Sequence, residues 1–251
     1  MSKGSILITG ASSGLGAEMA RQFADLGYDL GLCARRTDRL EALKAEITTK
    51  HPDLRVQLKA LDVNDDAAVF AVFKELAAEF GELDRVVINA GLGKGAPLGT
   101  GRYDANKATA MTNFVAALAQ TEAAMEIFRA QGKGHLVMVS SISALRGMRK
   151  TITTYAATKA GVAALAEGLL NEGVDRKGID VTILYPGYIR SEMNEKVAQR
   201  TKFMVDTETG VRAMVKAVEA RKEKAYVPAW PWVPIGFALK HAPMSVVRKL
   251  F

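Results

Sequence analysis

Cysteine and histidine are scarce in this sequence. The 251 residues include one cysteine, Cys33, and three histidines, at positions 51, 135 and 241. A single cysteine excludes an internal disulfide framework and is typical of a reducing compartment, so we expect a cytoplasmic protein. Histidines this far apart form no metal-ligand cluster, and no metal site is expected.

Long apolar runs are also missing. The first four residues lead directly into Ile6-Leu7-Ile8, without the extended apolar region of a signal peptide. The uncharged stretch 225–239 has 15 residues and three prolines, whereas a membrane-spanning helix needs about 20 apolar residues. The sequence therefore predicts neither a secretory leader nor a membrane span.

Acidic residues are depleted at the C-terminal end of the chain. The net charge is +7, but residues 221–251 hold six lysines and arginines against Glu223 alone, which leaves +2 for the other 220 residues. A basic protein can bind nucleic acid, yet the nearly balanced body argues against that function. The apolar and basic segment 225–251 instead suggests a weak contact with a membrane surface.

Short apolar runs alternate with amphipathic stretches along most of the chain. Hydrophobic residues make up 49% of the sequence and charged residues 24%, which excludes a disordered chain. Continuously apolar strands are typical of a sheet covered on both faces, and strand–helix alternation favours right-handed βαβ units. The predicted strands are 5–9, 29–34, 55–61, 85–89, 135–140 and 181–185, and the predicted helices are 14–26, 38–48, 65–80, 104–130 and 154–176.

This pattern predicts an α/β protein with one doubly wound Rossmann domain over residues 1–251. We expect a parallel sheet of about seven strands with helices on both faces. Two segments depart from the alternation: the polar connection 188–206 and the C-terminal extension 225–251. Within the extension, residues 236–251 are predicted to form a short basic amphipathic helix.

Glycines cluster where the first strand meets the first helix. The segment Thr9–Gly16 reads TGASSGLG. Glycines here permit a tight turn and close approach of a ligand, and a helix N-terminus offers N–H groups to a phosphate. The spacing G-x-x-x-G-x-G differs from the G-x-G-x-x-G of the commonest dinucleotide motif. Taken alone, this segment fits a nucleotide site or a purely structural turn.

The same residues match a second motif, the G-x-S-x-G nucleophile elbow of α/β-hydrolases. Ser12 would then be the nucleophile, with His135 or His241 as a downstream base. This elbow would follow the first strand of the sheet, and its position argues against a serine hydrolase.

Charged and small residues follow the next strands. The second predicted strand runs into Arg35-Arg36 without an acidic residue. NAD binding favours a carboxylate there for the ribose hydroxyls, whereas the guanidinium of Arg35 can bind the 2′-phosphate of NADP and stack on adenine, so NADP(H) is favoured. Asp62 is positioned to accept a hydrogen bond from the adenine amino group, and Asn89-Ala90-Gly91 allows the backbone to approach the cofactor.

Tyr155 and Lys159 lie four residues apart in a predicted helix, on one helix face. A carbonyl that receives hydride also needs a proton, and a tyrosine with a pKa near 10 donates poorly at neutral pH. A nearby ammonium favours the phenolate, and we expect it to lower the pKa of the tyrosine. The pair therefore indicates proton transfer coupled to hydride transfer.

With these motifs assembled, the sequence resembles the short-chain dehydrogenase/reductase family. The matches span about residues 5–191 in the order that the family shows: Thr9–Gly16, Asn89-Ala90-Gly91, Asn113, Ser141, Tyr155-x-x-x-Lys159 and Pro186-Gly187. The resemblance implies that Tyr155 is the general acid/base, that Lys159 lowers its pKa and holds the nicotinamide ribose, and that Ser141 orients the carbonyl. Asn113 would hold the water of a proton relay.

The spacing of the serine leaves alternatives open. Ser141 lies 14 residues before Tyr155, where 13 is commoner in the family, and Ser140 and Ser143 flank it. The implied cofactor-binding residues are Gly10, Ser12, Ser13, Gly14, Leu15, Gly16, Arg35, Arg36, Asp62, Val63, Asn89, Ala90, Gly91, Tyr155, Lys159, Pro186, Gly187, Ile189 and Ser191. Of these, Pro186, Gly187 and Ile189 would border the nicotinamide.

The resemblance also implies a substrate region and an oligomer. In this family the segment after Pro186-Gly187 covers the substrate, and in this sequence that segment is 188–206. Apolar residues there and in the tail suggest a lipophilic ketone or aldehyde: Met193, Val197, Phe203, Met204, Trp230, Trp232 and Phe237. A homodimer or homotetramer is expected through helices 104–130 and 154–176, which carry many alanines: 116, 117, 119, 123, 124, 156, 157, 160, 163, 164 and 166.

The favoured function is NADPH-dependent reduction of a small-molecule carbonyl compound, reversible as an alcohol dehydrogenase. The alternative from another class is a protein that binds NADP(H) as a sensed ligand without turnover. A pure sensor needs no proton donor, so the Asn-Ser-Tyr-Lys set favours the enzyme.

Overall fold

The protein is described by a computed structural model that covers residues 2–194 and 203–250. Within these residues, seven strands form one sheet, and every neighbouring pair is parallel. The strands are β1 (Ser5–Thr9), β2 (Asp29–Ala34), β3 (Val56–Ala60), β4 (Arg85–Ile88), β5 (Gly134–Val139), β6 (Ile179–Pro186) and β7 (Lys224–Val227).

Helices cover both faces of this sheet and connect the strands. The α-helices are α1 (Gly14–Asp25), α2 (Thr37–Lys50), α3 (Asp66–Phe80), α4 (Tyr103–Ala110), α5 (Ala116–Gln131), α6 (Thr153–Glu172), α7 (Thr207–Glu219), α8 (Ala229–His241) and α9 (Met244–Leu250). A π-helix over Met111–Val115 joins α4 to α5. The predicted single-domain Rossmann fold is confirmed.

The strand order is β3-β2-β1-β4-β5-β6-β7. The chain moves outward from β1 to β3 and then returns to begin the other half of the sheet at β4. In open α/β sheets, ligands bind beyond the carboxyl ends of the strands at such a reversal of order. A ligand site is therefore expected at the loops after β1 and β4.

Most of the strands predicted to be covered on both faces are buried, whereas β3 lies at the edge of the sheet and only Val56 in it is buried. All residues of β1, β2, β4 and β5 are buried. One hydrophobic cluster lies under α1, α2 and α7, and a second lies under α3, α5 and α6. Cys33 belongs to the second cluster, and its burial raises the pKa of the thiol to about 12.

Three features of the second half differ from expectation. The predicted helix 104–130 is divided by the π-helix, and α7 fills a region for which no helix was predicted. The predicted extension 225–251 begins inside β7, which pairs with β6 and closes the sheet. The part of the tail nearest the domain is therefore integral to the fold.

The rest of the tail forms two helices instead of one over 236–251. α8 starts at Ala229 with a kink at Trp230, and α9 follows a break at Ala242 and Pro243. Trp232 is buried, whereas Trp230 and Phe237 are exposed. In the described part of the chain, no helix has the length and apolar character needed to cross a bilayer.

The alanines of α5 and α6 pack mainly inside the domain. Seven of the eleven alanines expected to serve helix contacts between subunits are buried in the single chain: 116, 117, 123, 124, 156, 163 and 166. They pack the helices onto the sheet, so the expected interface rests on fewer alanines than the sequence suggested.

Candidate active site

A cleft of about 870 Å³ opens at the carboxyl ends of β1 and β4, where the strand order reverses. Every residue predicted to bind the cofactor lines it except Gly16. Of the predicted catalytic residues, Ser141, Tyr155 and Lys159 line the cleft, and Asn113 lies behind its wall. The segments after six strands, β1 to β6, thus bring residues separated by up to 184 positions into one site.

The glycine-rich turn adopts a shape that requires its glycines. Gly10 and Gly14 have φ angles of +66° and +53°, in the left-handed region that side chains disfavour. A Cβ on Gly16 would lie 2.3 Å from the carbonyl oxygen of Gly10, so Gly16 packs behind the turn. Ser13 precedes α1 without capping it through its side chain, which leaves the helix N-terminus available to an anion.

Thr9 and Asn89 brace this turn against the loop after β4. The amide nitrogen of Asn89 donates to the backbone oxygens of Thr9 and Gly10, at 3.0 and 3.3 Å. The hydroxyl oxygen of Thr9 accepts from the backbone N–H groups of Asn89 and Ala90, at 3.1 and 3.3 Å. Thr9 was recognised as the start of the motif, but its role in joining the two loops was not predicted.

The two arginines after β2 take different positions. Arg36 donates to the hydroxyls of Ser13 and Ser12, at 2.6 and 3.3 Å, so its guanidinium lies against the glycine-rich turn. Arg35 faces Asp62 at 3.7 Å. The hydrogen bonds from Asn64 hold the pKa of Asp62 below its ordinary value, with a smaller contribution from Arg35. Arg36, and not the Arg35 predicted to bind the 2′-phosphate, is therefore the guanidinium in direct contact with the turn.

These contacts remove the serine-hydrolase interpretation. The partner of Ser12 is Arg36. His135 is buried beside Arg85 and Thr182, in the second position of β5, and burial together with Arg85 lowers its pKa to about 3. His241 packs against Phe237 in α8, with the two rings tilted by 44°. Neither histidine is positioned to activate Ser12.

Tyr155 and Lys159 lie in the first turns of α6, beside the end of β5. The Lys159 ammonium donates to the backbone oxygen of Val139 at 2.8 Å and lies 6.0 Å from the Tyr155 ring centroid. The Ser140 hydroxyl donates to the backbone oxygen of Lys159 at 2.7 Å. Both serines line the cleft, but the Ser140 hydroxyl anchors α6 to β5, whereas the Ser141 hydroxyl interacts with Tyr155. This division of roles favours Ser141 among the three candidate serines.

Burial dominates the pKa values of this pair. It raises the pKa of Tyr155, and the hydrogen bond with Ser141 acts in the opposite direction. It lowers the pKa of Lys159 to about 8. The expectation that Lys159 lowers the pKa of Tyr155 is not met in the structure. The Lys159 ammonium donates to the backbone oxygen of Val139, and the hydrogen bond with Ser141 is what lowers the pKa of Tyr155 against the effect of burial. Tyr155 is protonated at neutral pH, as a proton donor must be.

Asn113 lies in the π-helix, a type of distortion that is frequent at functional sites. Its side-chain oxygen accepts from the Leu92 N–H at 2.6 Å, and its nitrogen donates to the Leu92 oxygen at 2.9 Å. A Cβ on Gly91 would lie 3.3 Å from that same side-chain oxygen and 3.6 Å from the Lys159 nitrogen. Asn113 thus holds the loop after β4 against Lys159, and its predicted part in a proton relay stays a prediction.

Gly187, after β6, is in contact with the tail. A Cβ at this position would lie 2.0 Å from the indole of Trp232. Trp232 also meets Tyr188 edge to face, with ring centroids 5.0 Å apart, and packs on Ile142 and Leu239. The tail therefore supports the loop predicted to border the nicotinamide.

The expected lipophilic residues divide between the cleft and the surface. Met193 lines the cleft. Trp232 packs behind Gly187, and the exposed Trp230 and Phe237 do not belong to the cleft lining. Val197 lies outside the described residues. Sequence reasoning missed Glu192 and Asn194, which line the cleft but belong to no recognisable motif.

The residues present fit a dinucleotide. The cleft volume lies within the range of about 300–1,000 Å³ typical of ligand sites. One end presents a helix N-terminus, two serine hydroxyls and Arg36, which suit phosphates, and the other presents Tyr155 and Lys159. In the described residues, no group of three or more His, Cys, Asp or Glu side chains is placed to hold a metal ion. Fold and site together define a Rossmann-type oxidoreductase.

Comparison with known proteins identifies the family. The model of the short chain dehydrogenase family matches residues 5–202, and the chain belongs to this family, whose members bind nicotinamide cofactors. The chain is 54% identical to an uncharacterized oxidoreductase of Mycobacterium tuberculosis over 244 residues, 97% of this chain and 96% of that protein. It is 31% identical to levodione reductase of Leifsonia aquatica over 224 residues, 88% and 81% of the two chains.

Solved structures include neighbours bound to either nicotinamide cofactor. A short-chain dehydrogenase from Sphingobium yanoikuyae in complex with NADPH matches with a TM-score of 0.83 at 26% identity, covering 98% of this chain and 95% of that one. A short-chain dehydrogenase/reductase from Burkholderia phymatum in complex with NAD matches with a TM-score of 0.85 over the same shares. The identity to the second is 19%, so that likeness concerns the fold alone.

Proposed function

We propose that this protein is an NADPH-dependent carbonyl reductase that reduces a ketone or aldehyde to an alcohol and can catalyse the reverse oxidation. The observation that carries the proposal is the convergence of Ser141, Tyr155 and Lys159 at one end of a cleft whose other end presents Arg36 and the glycine-rich turn. This arrangement suits a cofactor that lies along the cleft with its nicotinamide beside Tyr155.

Each residue of the set has a role in the reduction. Bound NADPH supplies a hydride to the carbonyl carbon. The Tyr155 hydroxyl gives its proton to the carbonyl oxygen; burial raises the pKa of the phenol, and the hydrogen bond with Ser141 acts in the direction that favours proton donation. Ser141 donates a hydrogen bond that orients the carbonyl, and Lys159 holds the nicotinamide ribose.

The preference for NADPH over NADH rests on the residues after β2. Arg36 lies against the serines of the glycine-rich turn, and Arg35 is more than half exposed beside Asp62. A guanidinium group can bind a phosphate through two parallel hydrogen bonds. The sequence has no carboxylate at the strand end that would favour ribose hydroxyls.

The substrate is proposed to be lipophilic. Met193 and Leu92 line the cleft on the side of the loop after β4, and the side chain of Met193 remains half exposed. Burial of an alkyl chain against these residues would be favourable at about 25 cal/mol per Å². A small polar ketone would gain little from the same surface.

Two surfaces are proposed to contact partners. Met111, Val115 and Leu118 are exposed to 41, 38 and 38% on the π-helix and α5, which suits a homodimer or homotetramer. Trp230 and Phe237 are exposed to 77 and 69% on α8, in the basic tail, which suits a weak contact with a membrane surface.

The experiment that tests the function is a panel of carbonyl compounds in which oxidation of NADPH and NADH is followed by absorbance. Dihydroxyacetone and 2-octanone provide a polar and a lipophilic ketone. We expect turnover with NADPH, and a higher kcat/KM for the longer ketone. Absence of cofactor oxidation across ketones and aldehydes contradicts the proposed reaction, and preference for dihydroxyacetone contradicts the lipophilic substrate alone.

A further inference from the structure

Arg36 of the cofactor cleft and Arg39 of α2 converge on one carboxylate, that of Glu192. Arg36 donates to Glu192 at 3.1 Å, and Arg39 in the first turns of α2 donates to the other carboxylate oxygen of Glu192. All three side chains are roughly half exposed. The hydrogen bonds from Arg39 and Arg36 lower the pKa of Glu192 to about 2, although its partial desolvation acts in the opposite direction. Glu192 is therefore ionised throughout the working pH range.

Glu192 belongs to a turn that crosses the cleft. Residues 191–194, the crossing turn, are held by the Asn194 side chain, which accepts from the Ser191 N–H at 2.9 Å and donates to the Ile189 oxygen at 2.7 Å. Met193 packs closely on Gly93, after β4. The crossing turn thus contacts α2 through Glu192 and the opposite wall through Met193.

The carboxylate occupies the position that suits a phosphate. Arg36 also donates through Nε and Nη2 to the hydroxyls of Ser12 and Ser13 in the glycine-rich turn. A phosphate monoester on the adenosine ribose needs the same kind of paired guanidinium donors that Glu192 engages here. A carboxylate and a phosphate cannot both hold this donor set, because each would fill the same N–H positions and their charges repel.

We propose that Glu192 sets cofactor specificity by competing with the 2′-phosphate of NADPH for Arg36 and Arg39. Binding of the phosphate separates Glu192 from the arginines and frees the α2 side of the crossing turn, whereas a cofactor without that phosphate leaves the contact in place. The inference rests on the proposed NADPH preference. Glu192 is then a residue whose negative charge weakens the binding of the preferred cofactor.

The test compares 2′,5′-ADP with 5′-AMP by isothermal titration calorimetry on the full chain. The variants are Glu192→Gln, which keeps the shape and removes the charge, and Glu172→Gln as a control. Glu172 has a comparable exposure and an arginine partner, Arg129. It ends α6, about 25 Å from Tyr155 at 1.5 Å per helical residue.

We expect Glu192→Gln to bind 2′,5′-ADP about fivefold to tenfold more tightly than the unmodified protein, since loss of one pair of charge-assisted bonds and of one repulsion favours the phosphate. The affinity for 5′-AMP should change less than about twofold, and Glu172→Gln should change neither. Glu192→Asp keeps the charge but shortens the reach, so its affinity should be intermediate.

Unchanged affinity of Glu192→Gln for 2′,5′-ADP overturns the inference. An equal gain for both nucleotides also overturns it, because that result describes a general charge effect. Failure of the proposed cofactor preference has a different signature: the unmodified protein binds 2′,5′-ADP no better than 5′-AMP. Thermal unfolding of each variant without nucleotide verifies that the fold is retained.

Discussion

The contact between Gly187 and Trp232 makes Gly187→Ala a sensitive test of how the tail supports the site. The new methyl carbon would lie 2.0 Å from Cε2, 2.1 Å from Nε1 and 2.3 Å from Cδ2 of the indole, whereas ordinary contact begins near 3.4 Å. The indole would have to move by more than 1 Å, but it is 2% exposed and packed between Ile142, Leu239 and Tyr188.

Overpacking of this kind costs about 3 kcal/mol, the upper part of its usual range. For a domain of this size, that loss lowers the Tm by about 6–12 °C. Because the same loop is predicted to border the nicotinamide, the Kd for NADPH should also rise. Gly168→Ala is the matched control: a Cβ there meets nothing within 4 Å in α6, and the higher helix propensity of alanine should leave stability equal or slightly higher.

Urea denaturation of a double-mutant cycle measures the contact directly. Trp232→Leu alone should cost about 3 kcal/mol through lost burial. In that background, Gly187→Ala should cost less than about 1 kcal/mol, because the obstructing ring is gone, which gives a coupling of about 2 kcal/mol. Additive losses in the double variant would refute the steric account.

Three further predictions concern the cleft and the subunit surface. The pKa of Lys159 is lowered to about 8, so its ammonium is present below that pH. The kcat/KM for carbonyl reduction should therefore fall as the pH rises past about 8. A kcat/KM that stays unchanged up to about pH 9.5 would contradict this prediction. Arg36→Ala should raise the Kd for NADPH by about 10- to 100-fold, because a charge-assisted bond worth about 1.5–3 kcal/mol is lost. The Kd for NADH, measured by the same calorimetry, should change little. An equal loss of affinity for both cofactors would exclude a role of Arg36 in 2′-phosphate binding. Light scattering at micromolar protein should give a dimeric or tetrameric mass that Leu118→Glu reduces to a monomer, and a monomeric unmodified protein would exclude the proposed interface.

The first half of the fold was predictable because its signals are local. β1 and β2 have the bounds that their apolar runs predict, and α1 begins at the predicted Gly14. β1 and β2 are buried over their whole length, and α1 begins in the glycine-rich turn. Local chemistry and the final fold agree in this region.

The second half depends more on tertiary contacts. β7 has four residues, one of them charged, and it becomes a strand because it pairs with β6. The π-helix interrupts a stretch whose apolar pattern remains helical, so periodicity does not reveal it. Deletion of 225–251, which would be a natural test of the tail, would remove most of β7 together with Trp232 and so disrupt the domain.

For the site, sequence reasoning found the residues but not all of their relations. Neighbouring residues at a strand end point to opposite sides. Sequence reasoning assigned the 2′-phosphate to Arg35, whereas Arg36 is the residue that reaches the glycine-rich turn. Glu192 is separated by 156 residues from Arg36 and belongs to no motif. Its pairing follows from the path of the crossing turn, which only the folded chain defines.

The central claim is that Tyr155 donates the proton in a hydride transfer from NADPH to a carbonyl compound. The most direct measurement compares NADPH oxidation by the unmodified protein and by Tyr155→Phe with the same ketone, together with the Kd for NADPH. We expect kcat to fall by about 10²–10⁴ because the ring is kept and the proton is lost, while the Kd stays within about threefold. Turnover by Tyr155→Phe within tenfold of the unmodified protein would contradict the claim.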